Sequence, residues 1–130
     1  MKETESLFDK GITNYNAAIV MRERCPDDEA FLNIAGYHLQ QSLEFVIKYI
    51  LEQNGVEYVK THDIDQLIML GKENDVDMYL TEYVEDHSEM FSQWEAKSRY
   101  ILGYRIELKK IDRAIDELRK YFQAVEKAMR

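Results

Sequence analysis

The stretch "DDEAFLNIAGYHLQQSLEFVIKYILEQNG", residues 27–55, decides the fold. Phe31, Ile34, Ala35, His38, Leu39, Ser42, Leu43, Val46, Ile47, Ile50 and Leu51 recur at three- and four-residue steps, the period of one face of an α-helix. Ala35, Gly36 and Ser42 are small, so a second helix can approach closely there. Asp27 and Asp28 place carboxylates at the positive end of the helix dipole. Asn54-Gly55 closes it, because glycine takes left-handed backbone without strain. A helix this long, with an apolar face this wide, is expected at the centre of a helical domain.

The flanking segments read in the same period. Leu7, Phe8, Ile12, Tyr15, Ala18, Ile19 and Arg22 form a stripe from about Thr4 to Arg24, with Thr4 the expected N-cap. Cys25-Pro26 stops it, since the residue before proline is pushed out of the α region. Beyond the central helix, Val56 to Val59 is too short and isolated for a strand. Thr61 or His62 is expected to cap a short helix carrying Ile64, Leu67, Ile68 and Leu70 and ending at Gly71. A further helix is predicted over Val76 to Tyr100, with Leu80, Tyr83, Val84, His87, Met90, Phe91 and Trp94 on its stripe. The last runs from about Ile106 to Met129, where the near-heptad spacing of Leu108, Ile111, Ile115, Leu118, Phe122, Val125 and Met129 suits antiparallel packing. The expectation is an all-α protein, an up-and-down four-helix bundle with one extra short helix, forming a single domain over residues 1–130.

Composition agrees. One proline and five glycines leave too few turns for an all-β fold. The net charge of −8 argues against generic nucleic-acid binding. The charge is uneven, however: residues 1–96 carry seven Lys/Arg against twenty Asp/Glu, and residues 97–130 carry ten against five. Either one basic face is left for a polyanion, or the basic helix packs on its acidic neighbours. Cys25 is the only cysteine, so no disulfide within the chain and no thiol cluster for a metal is expected. The N-terminal residues lack the apolar core of a signal peptide, and no window approaches 18 uninterrupted apolar residues. A cytoplasmic protein with no membrane contact, no metal and no cofactor is expected; the three histidines have no metal-site spacing.

The functional question centres on "AKSRYILGYRIELKK", residues 96–110. Arg99-Tyr100 ends one predicted helix and Tyr104-Arg105 precedes the next. Two arginine-tyrosine pairs at such a junction suit a phosphate. They equally suit a helix end with cations on its dipole and amphipathic rings covering a loop. His62 with Asp63 reads as capping and loop tethering, because adjacent helical residues do not face each other. His38 and His87 lie on apolar stripes and read as packed histidines, and Trp94 as core. Glu44 and Lys48 form an i,i+4 pair worth about 0.2–0.5 kcal/mol if exposed.

The run Gln40-Gln41, Glu44, Lys48, followed by Thr61-His62-Asp63 and by Ser98-Arg99-Tyr100, resembles the HEPN family, the higher-eukaryote and prokaryote nucleotide-binding domain, over about residues 4–128. The resemblance implies a helical bundle that usually homodimerises. Members often stand beside a minimal nucleotidyltransferase in bacterial two-gene modules of toxin-antitoxin type. It further implies, in active members, a metal-independent ribonuclease motif. That motif is an arginine and, after four to six intervening residues, a histidine near the end of the penultimate helix, with two copies meeting across a dimer cleft. Arg99 matches, but the three positions that could hold the histidine are Tyr104, Arg105 and Ile106. Cleavage needs a group that takes a proton from a 2′-hydroxyl near neutral pH, which histidine does. A tyrosine, with a reference pKa of about 10, is a hydrogen-bond donor there and a poor base.

The resemblance and the departure together lead to a non-catalytic protein. Arg99, Tyr100, Tyr104 and Arg105 would hold the phosphate of a nucleotide or RNA, and Gln41 and Lys48 would line a dimer cleft. Tyr104 is also open to nucleotide transfer by a nucleotidyltransferase partner. Two alternatives stand beside this: a metal-independent endoribonuclease with a degenerate Arg-x4-Tyr site, and a dimeric module whose surface is its whole function.

Overall fold

The computed structural model describes residues 5–130, the side chain of Arg99 apart. Five helices follow in order: α1 (Leu7–Glu23), α2 (Ala30–Gln53), α3 (Ile64–Glu73), α4 (Glu82–Tyr100) and α5 (Leu108–Met129). Among the described residues there is no strand. The protein is the expected all-α bundle of four long helices and one short one. The long stripe read from residues 27–55 becomes α2, which packs against all four other helices. Its Leu39, Leu43, Ile47 and Ile50 are fully buried, each stabilising the fold by about 1.5–3 kcal/mol relative to exposure.

Several helix ends differ from expectation, each for a local reason. α1 is capped by Ser6, while Thr4, the expected cap, lies outside the described residues. The Ser6 hydroxyl accepts the Asp9 N–H at 3.1 Å and the Asp9 carboxylate accepts the Ser6 N–H at 3.0 Å, a reciprocal capping box. Asp63, not Thr61 or His62, caps α3: its carboxylate accepts the Gln66 N–H at 3.3 Å, and the Thr61 hydroxyl accepts the Asp63 N–H at 3.1 Å. α3 also continues past Gly71 to Glu73. Gly71 serves close packing instead of termination, since a Cβ there would lie 2.3 Å from Met78 Sδ. The left-handed position after α3 belongs to Asp75, at φ 57°.

α4 starts at Glu82 rather than Val76. The left-handed Asp75 and Tyr79 (φ 56°) break any helix over this stretch, and Thr81 supplies the true cap by accepting the Val84 N–H at 3.2 Å. Met78 is nonetheless buried, and its carbonyl accepts the hydroxyl of the buried Tyr121 at 2.8 Å. Apolar residues in a non-helical segment therefore imitated a helical stripe. At the other end of the bundle, a Cβ on Gly36 would lie 2.3 Å from Ile106 Cδ1 and 3.3 Å from Trp94 Cε3. Glycine at that point of α2 lets α4 and the α4–α5 connection close onto it.

Candidate functional site

The connection from α4 to α5 spans residues 101–107 and turns at Gly103, whose φ of 81° favours glycine. It is held to α2 by Asn33. The Asn33 Nδ2 donates to the Tyr104 carbonyl at 2.6 Å, and its Oδ1 accepts the Ile106 N–H at 3.0 Å. α5 begins at Leu108 and not at Ile106 because Glu107, its N-cap, is extended at φ −69° and ψ 138°. Tyr104 is half-buried with its side chain packed on the core. Arg105 is exposed and donates one Nη1 bond to the Tyr104 carbonyl at 2.8 Å, which leaves further guanidinium N–H groups of its five for a ligand. A groove of roughly 250 Å³ opens beside the connection, between the first turns of α2 and the last turn of α4, lined by Asn33, Ile34, Tyr37 and Ser98. Arg99 stands in that last turn; its side chain lies outside the described residues. Tyr100 ends the helix and is largely exposed.

The fold thus gathers Tyr100, Tyr104 and Arg105 with the Arg99 position at one end of the bundle. Asn33 is the residue that sequence reading missed. Its signal was a polar side chain set between Leu32 and Ile34 in the otherwise apolar first turns of α2, where asparagine is unfavourable unless its amide has a partner.

The described bonds of the three histidines lead elsewhere. His38 Nδ1 meets Asn14 Oδ1 of α1 at 2.9 Å, and burial holds its pKa below the ordinary value. His62 Nδ1 meets Glu44 Oε1 at 3.0 Å. His87 Nδ1 meets the Tyr83 carbonyl at 2.9 Å, and His87 precedes Arg99 by twelve residues, about 18 Å along the axis of α4 at ~1.5 Å per residue.

The Gln-Gln, Glu, Lys pattern of α2 forms a second polar centre. Glu44 is 2% exposed. Its Oε1 accepts from Gln40 Nε2 at 3.0 Å as well as from His62, and its Oε2 accepts from Lys48 at 2.8 Å. Gln40 Nε2 also donates to the His62 carbonyl at 3.0 Å, and Gln41 Nε2 donates to Gln40 Oε1 at 2.7 Å. The Lys48 ammonium lies 5.5 Å over the Tyr58 ring. The pattern lashes the Thr61-His62-Asp63 turn to α2, so His62 is the loop tether expected of it. Gln41 and Lys48, expected along a dimer cleft, make these bonds inside the chain.

The cations of α5 pair mostly within that helix or with its cap. Arg119 and Lys120 reach Asp116, and Lys109 and Lys110 reach Glu107 at its cap. Arg130 reaches across to Asp9 of α1 at 3.1 Å. With two lysines on the single carboxylate of Glu107 and Arg113 over the Tyr83 ring, the first turns of α5 keep a cationic face. Among the described residues no group of three or more His, Cys, Asp or Glu side chains is placed to hold a metal, and no helix is long and apolar enough to cross a membrane.

Compared with known protein families, residues 4–129 match the HEPN domain. No curated relative and no solved structure matches the chain.

Proposed function

Because the chain belongs to the HEPN domain family, we propose that it is a non-catalytic member that binds the phosphate of a nucleotide or RNA at the α4–α5 connection. The observation that carries this reading is Tyr104. It occupies a position where the family resemblance implies histidine, and the Asn33 clamp holds its backbone against α2. His38, His62 and His87 are each bonded to other partners, so none supports the role of the missing base. What remains suits anion capture. Arg105 projects into solvent, Tyr104 brings a hydroxyl, and Arg99 sits in the adjoining turn. Arginine can grip two phosphate oxygens at once, and the acidic remainder of the chain would direct an anion to this end.

The reading includes a second copy of the chain as partner. Ile34, Tyr100, Ile101, Leu102 and Leu108 are exposed around this end, Leu102 completely so. Clustered exposed apolar side chains mark contact surfaces. They support this tip as the dimer face better than Gln41 and Lys48, whose donors already serve Gln40 and Glu44. A nucleotidyltransferase partner, implied by the family resemblance, would compete for the same tip.

The test is fluorescence anisotropy of a labelled short RNA across a salt series. Binding is expected to weaken with salt, and Arg99→Ala and Arg105→Ala are each expected to weaken it about tenfold, the worth of a lost charge-assisted hydrogen bond. The RNA is expected to stay intact in the presence of a chelator. Cleavage of the RNA, or equal binding by both variants and the wild type, rules the proposal out.

A further inference from the structure

A different cleft lies between the first half of α4 and the start of α5. It holds roughly 460 Å³ and is lined by Tyr83, His87, Met90, Lys109, Lys110 and Arg113. Its construction is specific. Tyr83 is buried, and its ring stacks on that of His87 with centroids 4.2 Å apart and planes 23° from parallel. The Arg113 guanidinium lies 5.3 Å over the Tyr83 ring. A backbone carbonyl can only accept, so the bond from His87 to the Tyr83 carbonyl puts the hydrogen on Nδ1. Nε2 is then the ring nitrogen left for a ligand. Met90 adds an apolar wall.

The charge is equally one-sided. Lys109 and Lys110 share the single carboxylate of Glu107, at 4.0 and 3.4 Å. Both lysines are exposed, 84% and 52% at the side chain, and such pairs are weak enough to exchange for a better anion. Glu117 is the one carboxylate whose charge is felt at Tyr83, and it lies 4.0 Å from Lys120. Three cations thus face one cleft in a chain whose net charge is −8.

From this arrangement we infer a nucleotide-binding site in the α4–α5 cleft, with Lys109, Lys110 and Arg113 holding the phosphate and His87 and Met90 meeting the base. The volume falls within the range of small-ligand sites, about 300–1,000 Å³, and the cleft is a pocket rather than the continuous basic track that a long strand requires. The cleft shares no lining residue with the groove beside the α4–α5 connection. His87 and Arg99 are about 18 Å apart along α4 and, at about 100° per residue, roughly a third of a turn apart around it. The inference therefore does not depend on the reading of that connection.

The experiment is an NMR titration with adenosine monophosphate, following the His87 ring signals, which are assigned by their loss in His87→Gln. The nucleotide is expected to shift them. The Lys109→Ala, Lys110→Ala double variant removes two exposed side chains, so its melting temperature should match wild type while its affinity falls at least tenfold. Arg105→Ala should leave the titration unchanged, which separates this site from the other. Inorganic phosphate should bind more weakly, because it leaves the rings and Met90 unused. A silent His87 signal, equal affinity in the double variant, equal affinity for inorganic phosphate, or a response to RNA but not to the mononucleotide would each overturn the assignment.

Discussion

Asn33 donates from Nδ2 to the carbonyl of Tyr104 at 2.6 Å, across 71 positions of sequence. The same amide accepts the Ile106 N–H at 3.0 Å, so one side chain on α2 holds the α4–α5 connection at two points. It sets the backbone from which Tyr104 and Arg105 emerge, and with it any anion contact they make. Asn33→Ala is expected to cost about 1–3 kcal/mol by leaving two backbone groups without their partner, measured by urea unfolding. Asn33→Asp keeps the acceptor for Ile106 but turns a carboxylate toward the Tyr104 carbonyl, so it should not restore stability. RNA binding should weaken in both, while the mononucleotide response at His87 persists.

Glu44 and Lys48 test what the α2 polar pattern is for. Glu44 is buried with Gln40, His62 and Lys48 on its two oxygens. Glu44→Ala is expected to destabilise by about 3 kcal/mol, because Lys48 is left as a mostly buried cation without its partner. The Glu44→Leu, Lys48→Met double variant should be closer to wild type than either single change, since removing both charges also removes the desolvation cost. Thermal or urea unfolding of wild type, Glu44→Leu, Lys48→Met and the double variant gives the coupling directly. If Lys48→Met alone is neutral and Glu44→Ala costs nothing, the network is not what tethers the turn.

Tyr104→His tests the chemical deficit. It would place an imidazole, with an ordinary pKa of about 6.5, at a spacing from Arg99 that the family resemblance implies for active members. A positioned general base is worth about 10²–10⁴ in rate. RNA cleavage that resists a chelator and disappears with Arg99→Ala is the expected result, read on a gel with the variant confirmed as a dimer. Intact RNA would mean that the want of a base is not what separates this chain from the active enzymes.

His38 predicts a pH dependence. Burial lowers its folded-state pKa below the ordinary 6.5. As pH falls through 6.5 the unfolded chain takes up the proton first, so stability declines from there down to the lower folded-state value and is fully present above 6.5. The neighbouring Asn14 oxygen accepts from Nδ1, which carries hydrogen in both protonation states, and so does not oppose the sign. Urea midpoints measured between pH 7 and pH 5 should fall in the wild type and fall less in His38→Gln. Asp9, whose carboxyl is held below its ordinary range chiefly by the Ser6 backbone N–H and then by Arg130, contributes only at more acid pH, below about 4.

Sequence alone determined the helical class, the central place of α2, the count of long and short helices, and the want of histidine after Arg99. These are local properties: a stripe repeats every turn, and a missing side chain needs no coordinates to be missing. The tertiary structure decided what lies between elements. Only packing shows that Gly71 makes room for Met78 rather than ending α3, that Val76 to Leu80 is not helical, that Glu44 gathers Gln40, Lys48 and His62, and that Asn33 reaches Tyr104. The reason is physical. Hydrophobic period records which face of a segment avoids water, whereas a hydrogen bond or a close contact depends on where a distant part of the chain comes to rest.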